Sequence, residues 1–302
     1  MPMRGMICRC EGGVMLPVIK VEGITVAEVW ENSLIELWNK GISIKTEYDT
    51  PSVPESKDAI MIMVINEPFA EPRIHLGFPG GIEDLEKYRQ EVVLGIHDHW
   101  INPTEKKWTY TYHDRLFNYT IPGWPEKKYI NQVDYIVEKL SVASFSRRAQ
   151  AITWIPFYDP MTYDPPCLQR IWCRILKQDK GSYLVMNVHW RSRDAYRAAF
   201  MNIFGLTSLQ EYIAGKISEK TGEKIMVGQY TDIVDSYHIY GDSFEDFQKR
   251  FLNMIDTRDF YNADRLRSRT IRSDDPVALA GFEYGKQLLE MEKKSGKKGA
   301  TL

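Results

Sequence analysis

The chain has 302 residues, 43% hydrophobic and 26% charged, a globular composition with room for one large domain or two small ones. A formal net charge of −2 argues against a protein that grips nucleic acid through net positive surface, so basic residues matter only where they cluster. Four cysteines (Cys8, Cys10, Cys167, Cys173) are too few for a disulfide scaffold in a chain of this length.

Residues 1–23 read as a loosely organised lead-in. Arg4, Arg9 and Glu11 interrupt its apolar character, so neither a signal peptide nor a membrane span is expected, and the cytoplasm is the default location. Cys8-Arg9-Cys10 lacks a second pair to complete a tetrahedral zinc site, and no metal is expected. From Ile24 the apolar residues Val26, Val29, Trp30, Leu34, Leu37 and Trp38 recur at helical steps up to Gly41. Ile42 to Pro54 reads as a loop, Asp58 to Ile65 as a buried strand, and Pro68 to Gly81 as a second loop. Leu85 to Ile96 has helical spacing and places Glu91 among apolar neighbours. Thr109 to Tyr119 alternates aromatic and polar residues, which suits a strand or a loop; Tyr129 to Leu140 is an amphipathic helix.

Ala149 to Trp154 reads as a strand. Cys167 to Leu176 and Tyr183 to Trp190 read as two more, joined as an antiparallel hairpin through Gly181. Ala195 to Lys216 is the longest helical pattern; Lys224 to Gln229 and Asp232 to Tyr240 look like separate strands, and Phe244 to Phe251 like a helix. From Lys286 the end is Lys-rich and expected to fray. Interspersed helices and strands without a linker predict one α+β domain, a mixed or antiparallel sheet flanked by helices. Its expected bounds are 24–265, followed by a C-terminal segment, 266–302, that is partly disordered.

Four clusters carry chemistry. Cys167 follows Pro165-Pro166, which fix the backbone before it, and nearby arginines are expected to lower its thiol pKa from the free value of about 8.5. Without that setting a free cysteine is more often apolar filler, which is the reading for Cys173. Arg147-Arg148, following Ser144-Phe145-Ser146, is either solvated surface or a phosphate fork. Arg191-Ser192-Arg193-Asp194 sits at a strand-to-helix junction, where free helix N–H groups favour an anion; in an extended segment Arg191 and Arg193 share one face and Ser192 and Asp194 the other, and only one of the arginines need face the ligand. Asn202, in Phe200-Met-Asn-Ile-Phe204, either bonds core backbone or reads a pyrimidine edge, since an unpaired buried amide costs about 1–3 kcal/mol. His238 and Tyr240 share a strand face, as a packed pair or as a clamp on a sugar hydroxyl.

Taken together these residues resemble thymidylate synthase. Ser146-Arg147-Arg148, Thr153-Trp154-x-Pro156, Pro165-Pro166-Cys167, Arg191-Ser192-x-Asp194, Asn202, and Asp235-x-x-His238-Ile239-Tyr240 follow that family's order. Asn131-Gln132-Val133 and Tyr112-His113-x-Arg115-Leu116-Phe117 look like two further segments of it. The likeness spans roughly 85–252 and is greatest to the short archaeal-type branch.

The resemblance implies the thymidylate synthase fold and a methyltransferase that converts dUMP to dTMP. Cys167 is then the nucleophile at uracil C6, with Glu91 (or its rival Glu86) as general base and Tyr112 and Asp194 as further catalytic residues. Arg191, Ser192 and the Arg147-Arg148 pair of a neighbouring subunit are expected to bind phosphate in a homodimer with a shared site. Asn202 is expected to read N3–H and O4, and His238 and Tyr240 the 3′-hydroxyl. Asp194 and Trp108 are expected to contact the co-substrate, 5,10-methylenetetrahydrofolate or methylene-tetrahydromethanopterin, with no metal, membrane or DNA partner. The sequence departs from the family at Leu168, where histidine is common after the nucleophile, and at Ile155 and His113. Lys45 and Arg73 are the candidates for an N-terminal phosphate contact, and no closing segment is recognisable after about Phe260. A pyrimidine-nucleotide hydroxymethylase, with Trp100 or Trp108 deciding water access, and a non-catalytic nucleotide binder are the alternatives.

Overall fold

The computed structural model describes residues 15–47, 50–102, 108–121, 123 and 128–297. The Cys8-Arg9-Cys10 pair lies outside the described residues. A mixed sheet is built from β1 (Val18–Gly23), β3 (Ser56–Ile65), β9 (Ile225–Ile239), β7 (Gly181–Trp190), β6 (Leu168–Gln178) and β5 (Gln150–Ile152), in that spatial order. The short strands β2 (Ile42–Ile44) and β8 (Arg193–Asp194) pair with β3 and β9. β4 (Ile74–His75) and β10 (Thr270–Ile271) form a separate two-stranded ribbon.

Among the described strands the pairings β1–β3, β7–β9 and β8–β9 are parallel and therefore need crossovers, which helices supply. α1 (Val26–Lys40) leads from β1 towards β3, capped at Thr25, whose hydroxyl accepts from Glu28 N while Glu28 bonds back. α5 (Ala199–Thr221) leads from β7 to β9 and is buried nearly all round, as befits the helix at the centre of the core. α2 (Ile82–Leu94) and α4 (Gln132–Val142) pack on α5. Beneath them Leu184, Met186, Val188 and Trp190 of β7 and Met61, Met63 and Ile65 of β3 close the core, each such side chain contributing about 1.5–3 kcal/mol on burial. The alternating residues Ile60, Ile62, Val64, Val185 and Ile233 line the other face of the sheet and are only half-buried.

Several expectations change. Residues 18–23 of the lead-in form a sheet strand, because Val21 and Ile19 bury while the backbone pairs with β3. The 42–54 loop begins with β2, and the 68–81 loop contains β4. The 109–119 stretch contains a helix, α3 (Tyr112–Phe117), started by Thr111, whose hydroxyl accepts from Asp114 N at 3.0 Å. The two strands expected over 224–240 are one: Tyr230, in the expected break, is buried and its hydroxyl donates to Asp232, which also accepts from Trp190 and Arg193. The end expected to fray is instead α8 (Pro276–Ser295). Asp275 caps it by accepting from Val277 N, and Ala278, Leu288, Leu289 and Glu292 bury on its inner face while the lysines stay outside. It packs along α2.

Candidate active site

The candidate residues converge at one end of the sheet, where β6 starts and β7 and β9 finish. Leu168 pairs with Trp190, Trp190 with Val234, and Asp194 with His238. This register sets Cys167, Arg191, Asp194 and His238 side by side, although 71 positions separate the first from the last.

Cys167 is half-buried, immediately before β6. Arg191 reaches across to it: Nη2 lies 3.7 Å from Sγ, and Nε and Nη2 donate to Pro166 O at 3.0 Å and Pro165 O at 2.8 Å. The diproline therefore presents two carbonyls that hold the guanidinium against the thiol, leaving Nη1 for a ligand. Burial pushes the thiol pKa up and outweighs the Arg191 charge, opposite to the lowering expected from sequence. Cys173 is core, its pKa pushed up to about 12 by burial. Tyr112 accepts from Leu168 N at 3.4 Å and packs edge-on against Trp190, with Tyr110 beside it. Below, Arg115 grips Asp159 with two bonds of 3.0 and 2.7 Å, and Asp159 accepts from Ile155 N, fixing the loop ahead of the diproline.

The Arg191–Asp194 stretch is not a helix N-terminus. Arg193 and Asp194 form β8, and α5 starts only at Ala199. Arg193 turns into the core, pairing with Asp232 at 2.5 Å and lying 4.2 Å over the Trp190 ring, so it is withheld from a ligand. Ser192 is half-buried. One oxygen of Asp194 accepts from Tyr196 N (3.0 Å) and Arg197 N (2.8 Å), and burial raises its carboxyl pKa.

Asn202 is 8% exposed, and its amide donates to the Tyr88 hydroxyl at 2.7 Å. His238 Nδ1 lies 3.3 Å from Ser236 Oγ, which donates to Asp58 at 2.6 Å, and its ring meets Tyr240 edge-on at 4.5 Å. Arg147 and Arg148 are exposed between α4 and β5. Neither side chain makes an ion pair among the described residues. Arg73 is not available as a phosphate contact: it is sandwiched between Phe69 and Phe204 and donates to Thr207, and burial lowers its pKa to about 10. Lys45 is exposed.

The two glutamates separate. Glu86 is bound by Arg89 (2.7 and 2.6 Å) and Gln90 (2.8 Å) near α8. Glu91 lies close enough to Tyr88 to act on it electrostatically, as does Tyr112, and so borders the Asn202 cluster. Its Oε2 is 2.7 Å from His97 Nδ1. Trp100 stacks on that imidazole and Trp108 meets it edge-on.

The family model for thymidylate synthase matches residues 76–267, which contain Glu91, Tyr112, Cys167, Arg191, Asp194, Asn202, His238 and Tyr240. The chain belongs to the thymidylate synthase family. A Methanocaldococcus jannaschii protein named "Putative thymidylate synthase" is 32% identical over 232 residues, covering 75% of this chain and 93% of its own. A Methanosarcina acetivorans protein of the same name is 30% identical, covering 71% and 86%. The fold is that of thymidylate synthase: thermostable thymidylate synthase A from Bacillus subtilis superposes with a TM-score of 0.55 at 18% identity, over 76% of this chain and 84% of that one.

Sequence reasoning missed Tyr88, Tyr110, His97 and Glu292. Tyr88 sits one helical turn before Glu91, a signal of a shared face. His97 and Glu292 carried none, since 195 positions separate them.

Proposed function

We propose that this thymidylate synthase family member converts dUMP to dTMP, using a methylene-carrying reduced pterin as co-substrate. The observation that carries the reading is the Cys167 thiol held against Arg191 on the edge where Asp194, His238 and Tyr240 converge. Cys167 Sγ adds to uracil C6, and the displaced electron pair makes C5 nucleophilic. C5 takes the methylene from the pterin. Glu91 then serves as base for removal of the C5 proton, the pterin departs, and its hydride reduces the exocyclic methylene as Sγ leaves C6. The products are dTMP and the dihydropterin.

Asn202, with one N–H on Tyr88, keeps a second N–H for O4 and its carbonyl for N3–H. Cytosine presents the reverse pattern. Arg191 Nη1 and Ser192 suit the phosphate, and His238 and Tyr240 the 3′-hydroxyl. A reduced pterin fits the residues present: Asp194 has a carboxylate oxygen left over, and Trp108 offers a flat aromatic surface.

The homodimer is supported by surface chemistry. Val142, Phe145, Phe157, Met161 and Tyr163 are 71–86% exposed within 142–163, around the exposed Arg147 and Arg148. Apolar exposure of that kind suits contact with a second copy.

The test is release of tritium from [5-³H]dUMP with each pterin. Release together with dTMP is expected, and Cys167→Ser should abolish it while dUMP still binds. No release with either donor sinks the enzyme reading; release without dTMP makes the chain a hydroxymethylase.

A further inference from the structure

At the far end of α2 the chain turns at Gly95, whose φ of +63° is the left-handed conformation that glycine adopts without strain. The turn folds His97 back onto the helix it has just left. There the imidazole bridges two carboxylates, Nδ1 to Glu91 Oε2 at 2.7 Å and Nε2 to Glu292 Oε2 at 3.1 Å. His97 and Glu292 are each 7% exposed. Glu292 belongs to α8, beyond the span matched by the family model.

We propose that His97 and Glu292 are positioning residues for Glu91, so that the C-terminal helix sets the orientation of the base on α2. The inference rests on the reading of Glu91 given above. An imidazole between two carboxylates can donate to both only when both ring nitrogens carry protons. The surroundings favour that state. Burial opposes the charged ring, yet the bonds to Glu91 and Glu292 together hold its pKa above the ordinary histidine value. Trp100 stacks on it with ring centroids 5.2 Å apart, and Trp108 lies edge-on at 5.5 Å.

Among the described residues the other charged groups nearby are His99 and Lys293, which line a cavity of about 430 Å³ with His97 and Glu292, and Asp98. Asp98 is already taken by His113 at 2.6 Å and by Thr111. A fixed imidazolium holds one oxygen of Glu91 and leaves the other free to face the Tyr88–Asn202 cluster.

Two measurements test this on the full-length protein. ¹⁵N NMR of labelled histidine should show both His97 nitrogens protonated at pH 7, and Glu292→Gln should shift its titration to lower pH. A neutral His97 at pH 7 in the unaltered protein overturns the proposal. In the tritium-release assay Glu91→Gln should be inactive. His97→Gln should lose at least tenfold in kcat with dUMP affinity within twofold of the parent. Glu292→Gln, a milder change should His97→Gln not fold, should move the alkaline limb of the pH–rate profile to lower pH. If Glu91→Gln is inactive while both other variants keep the parental kcat and profile, Glu91 stands as base and this proposal falls. If Glu91→Gln retains parental release, the base assignment fails, and the proposal with it.

Discussion

The Tyr88 hydroxyl accepts a 2.7 Å hydrogen bond from the Asn202 side chain, joining α2 to the central helix α5. The approach depends on Gly205, because a Cβ there would lie 2.8 Å from the Tyr88 ring. A tyrosine on one helix thus fixes which end of a carboxamide on another faces the site.

Tyr88→Phe removes the bond and keeps the ring. The loss of one hydrogen bond, about 0.5–1.5 kcal/mol, should weaken dUMP binding roughly two- to tenfold and narrow the preference for dUMP over dCMP. Isothermal titration with both nucleotides checks this; unchanged affinity and preference would mean that Asn202 is oriented by something else.

Cys167 should be a slow nucleophile until its substrate arrives. Its pKa is raised by burial, so the neutral thiol dominates at neutral pH, and iodoacetamide labelling should still be climbing as pH passes 9. Arg191 works in the other direction, since its charge favours the thiolate. Arg191→Gln should therefore shift the labelling profile to still higher pH. A profile that levels off near pH 7 would contradict the burial of the thiol, and an unmoved one would remove Arg191 from its electrostatic role.

The Arg115–Asp159 pair is 5% and 0% exposed at its side chains. Breaking a buried pair from one side leaves an uncompensated charge, at a cost of about 3–5 kcal/mol. Asp159→Asn should lower the urea midpoint accordingly and loosen the loop before Pro165-Pro166-Cys167. Retention of the parental midpoint would show that water or a neighbouring group takes over the Arg115 charge.

If Arg147 and Arg148 serve a neighbouring subunit, activity should return on mixing two inactive proteins. Cys167→Ser supplies intact arginines, and Arg147→Ala/Arg148→Ala supplies an intact thiol, so a hybrid dimer has one complete site. Subunit exchange should restore tritium release, up to about a quarter of the parental value at equal mixing if exchange is random. Absence of recovery despite demonstrated exchange would place the pair in its own subunit's site, or outside it.

By itself the sequence determined the elements with strong local signals: the hairpin of β6 and β7, the helix over α5, and the order of motifs that marks the family. Each rests on periodicity or on residue types at short spacing, which the chain carries wherever it folds. The family motif Arg191-Ser192-x-Asp194 also separated Arg191 from Arg193 in role, since it leaves position 193 unspecified. Only the tertiary structure decided the rest. Whether Tyr230 was a break or the middle of a strand depended on Asp232, which accepts from the Tyr230 hydroxyl and is itself held by Trp190 and Arg193, distant in sequence. The Cys167 pKa depended on how deeply the thiol is buried, and desolvation is a property of everything packed around a group. The different partners of Glu86 and Glu91, and the bridge from Glu91 through His97 to Glu292, depended on residues that meet only when the chain is folded.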